Sequence, residues 1–131
     1  MRDSKGFTVI ELLIVIVIIG IVAAIAIPKF SATRERAYFA AMRSDLRNLA
    51  AQQEIYYADN YVFSGIFADL AFVSTDGVNV MPTSVSSSGW AASATHSALG
   101  ATEGCAIFYG TATAPSAPIT PPEPGELVCT R

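Results

Sequence analysis

The chain has 131 residues, enough for one small domain beside a long apolar segment. Its formal net charge is -3, and that charge is segregated: Arg2, Lys5, Lys29, Arg34, Arg36, Arg43 and Arg47 all precede residue 48, and only Arg131 follows. The half carrying Glu54, Asp59, Asp69, Asp76, Glu103, Glu123 and Glu126 would repel phosphates, so it lacks the basic footprint of a nucleic-acid reader.

The first element is an apolar run from Phe7 to Ile27. It matches the roughly 20 residues that an α-helix needs to cross the hydrocarbon of a bilayer. Only Glu11 interrupts it with charge, and no basic residue lies within the run. Charged side chains at the centre of such a helix cost about 2.5 to 3.5 kcal/mol, less near an end, so a carboxylate here needs a partner or a role. A cut between Gly6 and Phe7 would create an α-amino group four residues before Glu11, on the same helical face.

Met1-Arg2-Asp3-Ser4-Lys5-Gly6 followed by Phe7-Thr8-Val9-Ile10-Glu11-Leu12-Leu13 resembles the class III signal and N-terminal methylation site of type IV pilins and type II secretion pseudopilins. The specific match runs from Lys5 to about Phe30, and the rest of the chain resembles the family by architecture only. The resemblance implies that residues 1–6 are a leader, that a prepilin peptidase cuts after Gly6 and methylates the Phe7 amine, and that Glu11 pairs with such an amine during assembly. It further implies a structural subunit rather than an enzyme, held in the inner membrane by lipid and then passed by an assembly platform into an extracellular pilus. The partners are then identical or related pilin subunits in a helical homopolymer, with roles such as surface adhesion, motility or DNA uptake; no cofactor and no metal are expected. A minor pilin or a pseudopilin is the second reading within the family. Major-class pseudopilins carry a calcium loop near the C-terminus, whereas Glu103, Glu123 and Glu126 here are spaced among prolines, without a dense run of oxygen ligands.

Two other readings compete. Arg2 and Lys5 before an apolar region that ends in Ala24-Ile25-Ala26 also fit a secretory signal, whose cleavage after Ala26 would release a soluble binding domain. A permanent single-span anchor is the other. For both anchored readings the positive-inside rule raises a conflict, because Lys29, Arg34 and Arg36 outnumber Arg2 and Lys5. Export is preferred here on the strength of the leader and the cysteine pair.

After the run, Pro28 has no N–H and its ring crowds the Ala24 carbonyl, so a helix kink is expected there, with Gly20 weakening the same stretch. An alternative makes Pro28 a helix start. From residue 29 the pattern is amphipathic, with Phe30, Ala37/Tyr38, Ala41/Met42, Leu46, Leu49/Ala50 and Tyr56 at three- and four-residue spacing. That stripe is expected to face a sheet. Helical from Phe7 to Ala58, the element would extend roughly 75 to 80 Å at 1.5 Å per residue.

The helix is expected to end within Tyr56 to Tyr61, with Asn60 left-handed, followed by a loop holding a helical turn at Ile66 to Leu70. Phe72–Thr75 and Val78–Met81 around Asp76-Gly77 read as a hairpin, Thr83–Gly89 as a link, Trp90–Ala98 and Cys105–Tyr109 as strands. Thr111 to Gly125, with five prolines, reads as an extended surface loop before Leu127-Val128-Cys129 returns to the sheet or its edge. Cys105 and Cys129 fit neither a CxxC motif nor a zinc set. They read as a disulfide, which requires an oxidising compartment, or else as two buried thiols. Bridged, they would close the proline-rich loop, an effect of about 3.5 kcal/mol in the chain-entropy model.

His96 is the one histidine, and the serines around it read as strand and turn composition rather than a catalytic triad. Tyr38, Phe39, Tyr56, Tyr57 and Tyr61 read as packing residues rather than an electron path. The fold class is therefore α+β: residues 1–6 a leader, 7–28 a hydrophobic transmembrane or filament-core helix, 29–60 an amphipathic helix, and 61–131 a β-rich head. The second half of the helix packs on a small antiparallel sheet in a pilin-like arrangement.

Overall fold

The computed structural model describes residues 5–131; Met1, Arg2, Asp3 and Ser4, most of the expected leader, lie outside the described residues. One long helix, α1 (Val9–Asn60), precedes four strands: β1 (Val78–Ser86), β2 (Gly89–His96), β3 (Gly104–Gly110) and β4 (Val128–Cys129). The strands form one antiparallel sheet in the order β1-β2-β3-β4. The chain divides after Arg34 into two units.

In the first unit every large apolar side chain from Phe7 to Ile27 is at least 44% exposed. By length and composition the helix is apolar enough to cross a membrane. Gly20 and Pro28 are both helical, so Pro28 lies inside α1 rather than at its start.

In the second unit α1 buries Phe39, Met42, Asp45, Leu46, Leu49 and Gln53. The spacing is that of the expected stripe, but the membership differs. Phe30, 68% exposed, belongs to the first unit and contributes nothing to this core, and Phe39 takes the place expected for Ala37 or Tyr38. Two polar residues on the buried face hold the loop after the helix. Gln53 binds the backbone of Ser64, and Asp45 accepts from both the N–H and the hydroxyl of Thr75, each at 2.7 Å.

The helix ends one residue later than its expected left-handed cap. Asn60 stays helical and donates its side-chain amide to the Tyr56 carbonyl, and Tyr61 takes the positive φ of 57°. A turn over 67–71 follows, close to the one expected.

The expected hairpin over Asp76-Gly77 does not form. Phe72 is drawn into the core and Thr75 is bound to Asp45, so this stretch is committed to the helix and cannot pair with Val78–Met81. Asp76-Gly77 is instead a turn that feeds β1, with Gly77 at φ 81° close against the His96 ring. The hairpin lies over Ser87-Ser88, where the sequence suggested only a link, and joins β1 to β2. β1 tolerates Pro82 because it is the edge strand and its register shifts between Pro82 and Ser84.

One face of the sheet sends Val78, Val80, Trp90, Ala92, Ala94, Cys105 and Ile107 into the core with the helix. Strand alternation points Ala91 and Ala106 the other way, yet both are fully buried. Their cover is the proline-rich segment: Ala112, Pro115 and Pro121 are buried, and Gly125 donates its N–H to the Phe108 carbonyl at 2.7 Å. At Gly104 an added Cβ would collide with the Ala94 carbonyl and lie 2.7 Å from Pro118. The segment expected as an extended surface loop is thus packed on the second face of the sheet, which explains the small residues beneath it.

Candidate functional site

Phe7 and Gly6 precede the helix in exposed chain without regular secondary structure, and nothing lies within 4 Å of the space a Gly6 side chain would fill. The junction expected to be cut is therefore sterically open. Thr8 caps α1: its hydroxyl accepts the Glu11 N–H at 3.3 Å, while the Glu11 carboxylate accepts the Thr8 N–H at 2.8 Å and its hydroxyl at 2.7 Å. This is a reciprocal capping box, which satisfies donors that the first helical turn would otherwise leave unpaired. Glu11, for which the sequence offered no basic neighbour within the run, thus has a local partner in Thr8. The Thr-x-x-Glu spacing was visible in the sequence but was read only for its charge.

Further along the first unit, Lys29 keeps its place in the helix although Pro28 lacks a donor, and its carbonyl accepts the Thr33 hydroxyl at 2.9 Å. This leaves a helix surface whose side chains are almost all apolar and unpacked, with one carboxylate at its beginning.

The second functional feature is the disulfide. Cys105 and Cys129 are joined, facing each other in the β3–β4 register with Cα atoms 4.0 Å apart. The bond clamps the end of the proline-rich segment to the sheet. Beside it, Thr130 donates its hydroxyl to Glu103 at 2.6 Å, and Arg131 bridges Glu103 and Glu35 at 3.2 and 2.8 Å. Arg43 donates to the Arg131 carbonyl at 2.8 Å. Sequence reading missed Glu35, Asp45 and Gln53 as fixing points, because a polar residue at helical spacing carries no sign of what it will meet.

Of the remaining candidates, Tyr61 is 76% exposed and departs from the packing role expected of it, whereas the others pack. His96 stacks on Tyr38 with ring centroids 4.1 Å apart, and its Nδ1 accepts the Ala98 N–H at 3.0 Å. Tyr57 and Tyr109 both meet Phe63.

Residues 1–27 match the prokaryotic N-terminal methylation motif. The chain is 50% identical over 60 residues to a type IV wide pilus major component of Thermus thermophilus, an alignment covering 46% of each protein. It is 34% identical over 62 residues to a type II secretion system core protein G of Pseudomonas aeruginosa, covering 47% of this chain and 44% of that protein. A type IV major pilin of Myxococcus xanthus is 35% identical over 74 residues, covering 56% of this chain and 34% of that pilin. The chain spans less than half the length of each of these three curated relatives. With its methylation motif, its long exposed apolar helix and its small antiparallel sheet, the chain is similar to type IV pilins and type II secretion pseudopilins.

Proposed function

We propose that the chain is the structural subunit of a type IV pilus, made as a membrane-anchored precursor and assembled through its N-terminal helix. The observation that carries this reading is the exposed apolar surface of Phe7 to Ile27, preceded by an open Gly6-Phe7 junction and holding a single carboxylate at Glu11. Such a surface needs lipid, or the same surface of other subunits, to cover it. Residues 1–6 are removed, 7–28 span the membrane and later line the filament core, 29–60 join this segment to the head, and 61–131 form the outer surface. A prepilin peptidase cuts before Phe7 and an inner-membrane platform feeds subunits into the polymer. Gly20 and Pro28 are where the helix bends, since Pro28 leaves the Ala24 carbonyl without its helical donor.

In this reading Glu11 has two successive roles. In the precursor it caps its own helix through Thr8. Once Phe7 carries a free, methylated and still cationic amine, the carboxylate meets the amine of an incoming subunit. An unpaired buried ion costs several kcal/mol, so this pairing selects axial register as well as affinity.

Intact mass and N-terminal sequence of filaments sheared from cells test the proposal: a chain beginning at N-methylated Phe7 is expected. A mature chain beginning at Ile27 would overturn it in favour of a released binding domain. The second reading, a secretion pseudopilin, is favoured by the similarity to core protein G, and a chain found processed but confined to the membrane, with no surface filament, would select it.

A further inference from the structure

Outside the N-terminal segment, the outward side of α1 between residues 36 and 59 carries two flanks of opposite character. Arg36 and Arg47 are exposed on one flank, nearly in line because eleven residues bring a helix round to within about 20°. Arg43, between them, is held by the Arg131 carbonyl. Asp59 lies twelve residues beyond Arg47 and is therefore turned about 120° from it, on the other flank. There a groove runs between Gln52, Ile55 and Asp59 of α1 and the Asp69–Val73 stretch of the following loop. Its walls are partly apolar and uncovered: Ile55 is 60% exposed and Val73 86%. Among the described residues both ion pairs belong to Arg131, so Arg36, Arg47 and Asp59 have no charged partner within the chain.

We infer that the Arg36–Arg47 flank of one copy docks on the Ile55–Asp59–Val73 groove of a second copy of this chain. This rests on the filament reading above and names the contact its heads use. Charge complementarity selects the occupant, because the basic flank is what the acidic mouth of the groove lacks and the same chain supplies both. The apolar walls supply area that the ion pairs alone do not. Since the two surfaces lie on different flanks, the contact is heterologous: each copy keeps one unused flank, and the series stays open instead of closing as a two-fold dimer. Glu54 lies seven residues after Arg47 on the basic flank and sets the lower limit of that surface.

Charge reversal in the full chain tests this, in a host with a prepilin peptidase and a pilus assembly apparatus. Arg47→Glu and Asp59→Lys are each expected to lower the yield of sheared filaments about tenfold, equivalent to ~1.4 kcal/mol per contact. The double variant R47E/D59K restores the opposite-charge pair with its signs exchanged and is expected to recover most of that yield, which separates a contact from misfolding. In parallel, R47C and I55C copies expressed together are expected to form a disulfide-linked dimer that neither forms when expressed alone. Normal filaments with both single reversals, a double variant no better than either single one, or filaments without the mixed cross-link would overturn the contact and leave the pilin reading standing. The mixed cross-link in membranes of cells that never make filaments would keep the contact and overturn the filament. A dimer of R47C copies alone, or a different basic protein linked to I55C, overturns the inference as stated.

Discussion

Gln53 holds Ser64 by both ends of its amide: Nε2 donates to the Ser64 carbonyl at 2.6 Å, and Oε1 accepts the Ser64 N–H at 3.1 Å, with both residues buried. The pair does for the loop after α1 what a strand would do, by satisfying both backbone groups of one residue. Gln53→Leu keeps the bulk but orphans a buried donor and acceptor. A loss of about 2 to 6 kcal/mol is expected, from about 1 to 3 for each of the two unsatisfied groups. Denaturant unfolding of the full chain in detergent, followed by the near-ultraviolet signal of the single Trp90, checks it.

Asp45 anchors the far end of the same loop. Asp45→Ala removes two hydrogen bonds to a buried carboxylate, worth about 1.5 to 3 kcal/mol each at most. Hydrogen exchange is expected to show the Thr75 amide and its neighbours losing protection, with the β2–β3 amides retained. Equal loss across the sheet would mean that the loop and sheet open as one unit.

Arg131 makes the most conspicuous ion pairs and is expected to matter little. Its side chain is 60% exposed, so Arg131→Ala should cost under about 1 kcal/mol and move the unfolding midpoint only slightly. The Arg43 bond to the carbonyl of residue 131 survives this change, so a larger shift would show that the paired Glu35 and Glu103 contacts act together beyond ordinary exposed pairs.

Removing the disulfide should be felt on one face. Cys105→Ala with Cys129→Ala is expected to cost about 3.5 kcal/mol, the chain-entropy value for this loop. Exchange should rise first at the Gly125 amide, which binds Phe108, while helix amides near Leu46 stay protected.

Glu11→Gln separates its two roles. Gln serves in a capping box as Glu does, so the Thr8 cap should survive while the charge is lost. Membrane insertion is expected to be unchanged or improved, with filaments on electron micrographs absent or few. Thr8→Ala does the reverse: it weakens the cap by about 1 kcal/mol and keeps the carboxylate, so filaments should persist. Abundant filaments from Glu11→Gln would show that capping is the whole role of the residue.

The local, periodic features were legible in the residues themselves. A run of about 20 apolar residues, interrupted by charge only at Glu11, has the length of a helix that meets lipid or its own kind, so the first half of α1 could be read directly. Met42, Leu46 and Leu49 followed from helical spacing, and β2, β3 and the return of Cys129 followed from short apolar runs between glycines. Tertiary structure alone decided the partners. Phe72–Thr75 has strand composition, but it lost its pairing because Asp45 bound Thr75 and the core took Phe72, and a turn signal at Asp76-Gly77 cannot report that competition. The proline-rich segment cannot be a central strand, as its composition says. That it covers Ala91 and Ala106 depends on contacts distant in sequence, as does the joining of Asp45 and Gln53 to one loop. Such contacts leave no period in the chain, because each is set by where two separately formed elements meet.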